Sequence, residues 1–122
     1  MKKNCLITGA TDGIGKQTAL ELAMQGFNLG LVGRNSEKGA SVVSELIHET
    51  GNNSIRFHYA DLSIMKSVQS LVDEIKRTYE TIDVLLNNAG AYFSKLKMTD
   101  EGIEKTFALN NSSYFYLTTH LL

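Results

Sequence analysis

The chain has 122 residues, 43% hydrophobic and 20% charged, and a formal net charge of −1. That size suits one small domain with a single core, near-neutrality excludes the basic field of a nucleic-acid or anionic-membrane binder, and no apolar run approaches the roughly 20 residues that span a bilayer. A single cysteine forms no internal disulfide and fits a reducing cytosol, so a cytoplasmic protein is expected.

Met1-Lys2-Lys3-Asn4 leads into Cys5-Leu6-Ile7, a short apolar run that reads as a first strand, with Cys5 a small core residue. No signal-peptide pattern is present, because Gly9-Ala10-Thr11-Asp12-Gly13 follows at once. Residues 14–25 place Ile14, Ala19, Leu22 and Ala23 at helical spacing, and Gly26 ends that helix. Phe27 to Val32 is a second strand, closed by Gly33. Ser36 stands where it can cap a second helix, whose Ala40, Val43, Leu46 and Ile47 form an apolar stripe. Gly51-Asn52-Asn53 is a turn, and Ile55 to Tyr59 is a third strand. Ser63 can cap a third helix, in which Met65, Val68, Leu71, Val72, Ile75 and Tyr79 give the cleanest 3.6-residue period. Ile82 to Leu86 is a fourth strand, ended by Asn88-Ala89-Gly90. A loop with Tyr92, Phe93 and two lysines leads to a last helix from about Asp100. The chain has no proline where about six would be expected, so its ten glycines punctuate it. Short continuous apolar strands alternating with helices imply βαβ units: one α/β domain over residues 1–122, with a parallel sheet covered on both faces.

The first turn, Thr8 to Gly15, holds Gly9, Gly13 and Gly15 between strand and helix. There glycines let the backbone approach a pyrophosphate, and the helix N-terminus offers unpaired N–H groups and a positive dipole end. The spacing is Gly-x-x-x-Gly-x-Gly, not the commoner Gly-x-Gly-x-x-Gly. At the end of the second strand an acidic residue would bind the ribose 2′-hydroxyl of NAD. The stretch Leu31-Val32-Gly33-Arg34-Asn35 has none. Arg34 can instead hold a 2′-phosphate through bidentate charged hydrogen bonds, with Lys38 close enough to help, so the expected cofactor is NADP(H). Asp61 reads as a helix-entry carboxylate. Asn87 and Asn88 follow an apolar strand and can satisfy neighbouring backbone groups. Asn110-Asn111-Ser112-Ser113 puts modest helix formers in a row inside an apolar helix. His48, His58 and His120 are widely separated, read as surface or half-buried, and have no metal-ligand spacing.

The variant glycine turn, then Asp61, then Asn87-Asn88-Ala89-Gly90, then Asn110, resembles the short-chain dehydrogenase/reductase superfamily in order and separation. The resemblance covers all 122 residues, which match the N-terminal half of a typical member. It implies a Rossmann-like sheet of order 3-2-1-4 with right-handed crossovers. It also implies a cofactor set of Gly9, Thr11, Asp12, Gly13, Ile14, Gly15, Arg34, Asn35, Lys38, Asp61, Leu62, Asn88, Ala89 and Gly90. In the family the residue matching Asp61 bonds the adenine amino group and Leu62 lends backbone contact. The position of Asn88 touches the ribose, and that of Asn87 holds the sheet. Asn110 is the catalytic position, bending its helix and holding a water in the proton relay.

The family's catalyst is a Tyr-x-x-x-Lys pair with a serine upstream of it. Four residues beyond Tyr59, Tyr79, Tyr92, Tyr114 and Tyr116 stand Ser63, Asp83, Leu96, Thr118 and His120, none of them lysine. The expected function is therefore the cofactor half of an enzyme passing hydride between nicotinamide and a small-molecule carbonyl or alcohol, with these 122 residues inactive alone. The last helix ends on Leu117, Leu121 and Leu122 without a stop signal, which is the expectation for a polypeptide that continues. The alternative is a non-catalytic NADP(H)-binding module or pseudoenzyme, distinguished by whether the coding frame runs on past codon 122. A methyltransferase would usually want an acid ending the second strand, against Gly33-Arg34. No nucleic-acid or membrane partner is expected, and homo-oligomer formation is left open.

Overall fold

The computed structural model describes residues 2–11, 13–87 and 113–121. Its elements, in chain order, are β1 (Asn4–Thr8), α1 (Gly13–Met24), β2 (Asn28–Gly33), α2 (Ser36–Thr50), β3 (Ile55–Tyr59), α3 (Met65–Thr78), β4 (Val84–Asn87) and α4 (Ser113–Leu121). The expected start of the last helix lies outside the described residues.

The four strands form one parallel sheet in the order β3-β2-β1-β4. Its two faces follow from alternation along the strands. Cys5, Ile7, Leu29, Leu31 and Ile55 point to one side, where Ala19 and Ala23 of α1 and Val42 and Leu46 of α2 cover them. Leu6 and Val32 point to the other, against Val68, Leu71, Val72 and Ile75 of α3 and Leu117 of α4. Cys5 is a buried core residue, as expected. Each fully buried leucine or isoleucine contributes roughly 1.5–3 kcal/mol relative to exposure. The chain first builds outward from β1 to β3 with its helices on one face. It then returns to the far side of β1 through α3 on the other face. Changing face with direction keeps all crossovers of one hand.

Several local expectations change in the folded chain. Asn35, not Ser36, caps α2: its Oδ1 accepts from the Lys38 N–H at 3.0 Å. Ser63 does not cap α3 either, because its hydroxyl donates to Asp61 Oδ1 at 2.6 Å, and α3 begins after Ile64 with no side-chain cap. The fourth strand starts at Val84, since Asp83 is taken up at the sheet's lower rim by Asn4, whose N–H donates to Asp83 Oδ2 at 2.8 Å. Of the stripe read on α2, Leu46 is buried and Val43 and Ile47 pack partly buried against the core, while Ala40 is exposed and Gly39 and Val42 take the inward positions.

His58 was expected at or near the surface and is instead buried, 5% exposed. Its Nδ1 lies 2.5 Å from Glu74 Oε2 and its Nε2 lies 3.0 Å from the Tyr79 hydroxyl. A carboxylate accepts only, so the arrangement that satisfies all three groups has Nδ1–H donating to Glu74 and Tyr79 donating to Nε2. Gly30 makes room for this cluster, because a Cβ there would stand 2.9 Å from the Tyr79 oxygen and 2.8 Å from Leu6 Cδ1. Burial pushes the Tyr79 phenol up to about 12, with Arg56 pulling it back and Glu74 adding to the rise.

Candidate functional site: the carboxyl ends of the strands

Strand order reverses between β1 and β4, and in open α/β sheets ligands bind outside the carboxyl ends of strands at such a reversal. Gly9 leaves β1 at φ +64° and Gly13 opens α1 at φ +54°, both in the left-handed region that side-chain-bearing residues avoid. The Gly9 N–H donates to the Val32 carbonyl at 3.1 Å, tying the turn to β2. A Cβ at Gly13 would meet nothing within 4 Å, so the space over the first turn of α1 is open. Gly15 is buried under the turn, Thr11 is half-buried and Ile14 is 79% exposed. Ile14 therefore does not join the buried stripe of α1 as its spacing suggested. It sits in the first turn, past the end of the sheet. Asp12 lies outside the described residues.

Arg34 follows β2 directly and is exposed, and no hydrogen bond or ion pair joins it to another described residue. Beside it is the start of α2, whose first N–H groups have no intrahelical acceptor. Lys38 is exposed in that first turn. The Asn35 carbonyl oxygen is already engaged in capping, which leaves its amide N–H groups for any ligand. Phe57 of β3 supports this corner. Its ring lies against Gly39, where a Cβ would collide with it, and 3.3 Å from the Cβ position of Gly33. Sequence reading missed Phe57; the signal was Gly39, a poor helix former inside a helix.

Asp61 is held in place by its own turn. Its Oδ1 accepts from the Ser63 N–H at 3.0 Å and the Ser63 hydroxyl, and its N–H donates to Ser67 Oγ at 2.8 Å. Leu62 is 6% exposed, so only its backbone can face a ligand. At the other end of the crevice Asn87 stands beside Thr8 on β1. Its Nδ2 donates to Thr118 Oγ1 of α4 at 3.3 Å, while its Oδ1 is buried without a partner. A cleft of about 250 Å³ opens there between β1, α1 and β4, lined by Ile7, Gly15, Thr18, Leu86 and Asn87. Asn88, Ala89, Gly90 and Asn110 lie outside the described residues. A hollow of about 780 Å³ lies away from this end of the sheet, along the outer edge of β3. The glycine turn, the helix N-termini and the exposed Arg34 mark the carboxyl ends instead. No cluster of metal-binding side chains occurs among the described residues.

The arrangement can take an elongated anionic ligand. The N–H groups that a helix N-terminus presents and an open approach suit a pyrophosphate at α1, and a guanidinium with no partner among the described residues suits a further phosphate at α2. A family model described as short chain dehydrogenase matches residues 3–122. Dehydrogenase/reductase SDR family member 12 from Bos taurus is 41% identical over 117 residues, covering 96% of this chain and 37% of that protein. Human retinol dehydrogenase 13 is 38% identical over 120 residues, covering 98% of this chain and 36% of that protein. The chain thus spans little more than a third of these relatives. A short-chain dehydrogenase from Sphingobium yanoikuyae, solved in complex with NADPH, superposes with a TM-score of 0.82 at 31% identity, covering 98% of this chain and 46% of that one.

Proposed function

We propose the following function for this chain, which belongs to the short-chain dehydrogenase family: it binds NADP(H) along the carboxyl ends of its strands, for hydride exchange with the carbonyl or alcohol carbon of a small-molecule substrate. The cofactor supplies or accepts the hydride. The turn from Gly9 to Gly15, with Thr11, Asp12 and Ile14, would wrap the pyrophosphate with backbone N–H groups at the head of α1. Arg34 would grip the 2′-phosphate, aided by Lys38 and the Asn35 amide. Asp61, oriented by Ser63, would accept from the adenine amino group beside the Leu62 backbone. Asn88, Ala89 and Gly90 would lie along the nicotinamide ribose, and Asn110 would hold a relay water. No Tyr-x-x-x-Lys occurs in these 122 residues, so the substrate's proton is assigned to none of them, and the chain alone is expected to bind without turnover.

One observation carries the choice of NADP(H) over NAD(H). Arg34 is exposed at the end of β2 and has no partner among the described residues, with no carboxylate in the turn to meet a ribose 2′-hydroxyl. The Sphingobium neighbour, solved with NADPH, agrees with that reading. A hydrogen bond to a charged group contributes roughly 1.5–3 kcal/mol, so NADPH should bind about ten- to a hundredfold more tightly than NADH. Calorimetric titration of both cofactors tests this. Arg34→Ala should erase most of the difference, and equal affinities in the unaltered protein would overturn the assignment.

A further inference from the structure

β3 is an edge strand, and the hollow of about 780 Å³ runs along its outer side. Val43 and Ile47 of α2 wall it on one side, and Glu74 and Thr78 of α3 on the other. The Leu29 N–H donates to the Ser54 carbonyl at 2.9 Å, and the Ala60 N–H donates to the Gly33 carbonyl at 2.9 Å. In a parallel ladder the bonded residues alternate, so Arg56 and His58 also face β2. The N–H and C=O groups of Ile55, Phe57 and Tyr59 therefore point outward, where no described strand pairs with them. Neither proline nor lysine guards the strand.

We propose that this edge docks a second copy of the chain, antiparallel, joining two four-stranded sheets into one. A twofold axis at Phe57 sets Phe57 opposite itself and Ile55 opposite the partner's Tyr59. In each such pair both residues exchange N–H···O=C bonds, so every outward backbone group is used. Three side-chain features fit the same axis. Tyr59, 58% exposed on the α2 side, meets the partner's Ile55, an aromatic and β-branched cross-strand pair. Exposed Ala40 and Ser44, one helical turn apart, leave room for the two copies of α2 to approach. On the α3 side Arg56 stands opposite the partner's His58, whose imidazole is bonded to the partner's Glu74, so opposite charges face each other across the axis. The interface uses none of the residues assigned to NADP(H) and does not depend on that assignment.

Sedimentation of the purified protein over a concentration series, with amide exchange followed by NMR, tests the interface. A dimer is expected, in which the Ile55, Phe57 and Tyr59 amides exchange at least about tenfold more slowly than in dilute samples. The Arg56 and His58 amides, already bonded to β2, should be unchanged. Ala40→Glu and Arg56→Glu, each with an unaltered circular dichroism spectrum, should both shift the population to monomer. A monomer up to about 1 mM overturns the proposal. So does a dimer whose three outward amides stay unprotected, or one that both variants leave intact.

Discussion

Gly13 shows two separable demands at one position. Its φ of +54° strains any side chain, at a cost of roughly 1–2 kcal/mol. The space beyond it is open, so a Cβ meets no protein atom. Gly13→Ala should therefore lose about that much stability and still bind NADPH measurably. Gly13→Val should fold but bind at least about tenfold more weakly than Gly13→Ala, because its branches fill the approach to the turn. Urea denaturation and calorimetry on the two variants separate strain from obstruction. Equal binding by both would place the pyrophosphate elsewhere. Asn35 makes the complementary case. Its carbonyl oxygen caps α2, so Asn35→Ala should cost about 1 kcal/mol of stability, measured the same way. At this scale the glycine turn and Arg34 were legible, because conformation and charge are properties of the residues themselves. Ile14, His58 and the two caps were not. Their placement depends on partners that local spacing does not reveal, such as Glu74 and Tyr79, 16 and 21 residues from His58.

Helix α2 illustrates a contest between propensity and packing. Alanine is the better helix former than glycine by about 1 kcal/mol. Gly39, however, lies against the Phe57 ring, which is itself confined by Gly33. Overpacking typically costs 1–3 kcal/mol, so Gly39→Ala should destabilise on balance despite the gain in propensity. A higher urea midpoint for that variant would show that the ring can retreat. The link from α3 to β3 runs through His58. Tyr79→Phe keeps the ring but leaves Nε2 buried without a donor, at a cost of about 1–3 kcal/mol. The double variant His58→Leu with Tyr79→Phe should recover part of that loss, a recovery that a purely steric role for Tyr79 would not give. Element type and order were readable across the described residues, since alternation and 3.6-residue periods report which face is dry. The turn at Asn52 shows what was not. It read simply as a turn, yet Asn52 is buried, donating to the Ala23 and Phe27 carbonyls and accepting from the Ser54 N–H. Ala23 and Phe27 flank a different turn, which only folding brings alongside.

Two buried weak acids among the described residues give the whole molecule a pH dependence. Burial lifts the Cys5 thiol from 9.0 to about 11 and the Tyr79 phenol from 10.0 to about 12. The folded chain thus keeps protons that the unfolded chain releases, so stability is whole below pH 9 and falls between pH 9 and 12. Urea midpoints measured from pH 7 to 12 should decline over that window, and Cys5→Ala should delay the onset to about pH 10. A midpoint that stays level would count against both burials as the source. The placement of β4 beside β1 has a further consequence, one of timing. The contact between Asn4 and Asp83 at the foot of that pair spans 79 residues, whereas β1 meets β2 after only 24. At about 5–20 residues per second, a ribosome leaves β1 without its second neighbour for roughly 3–11 seconds after its first has been made. Through that interval the nascent sheet has an apolar strand uncovered along one side, so the growing chain depends on the exit tunnel or a chaperone to keep β1 from pairing with a neighbour on the same messenger.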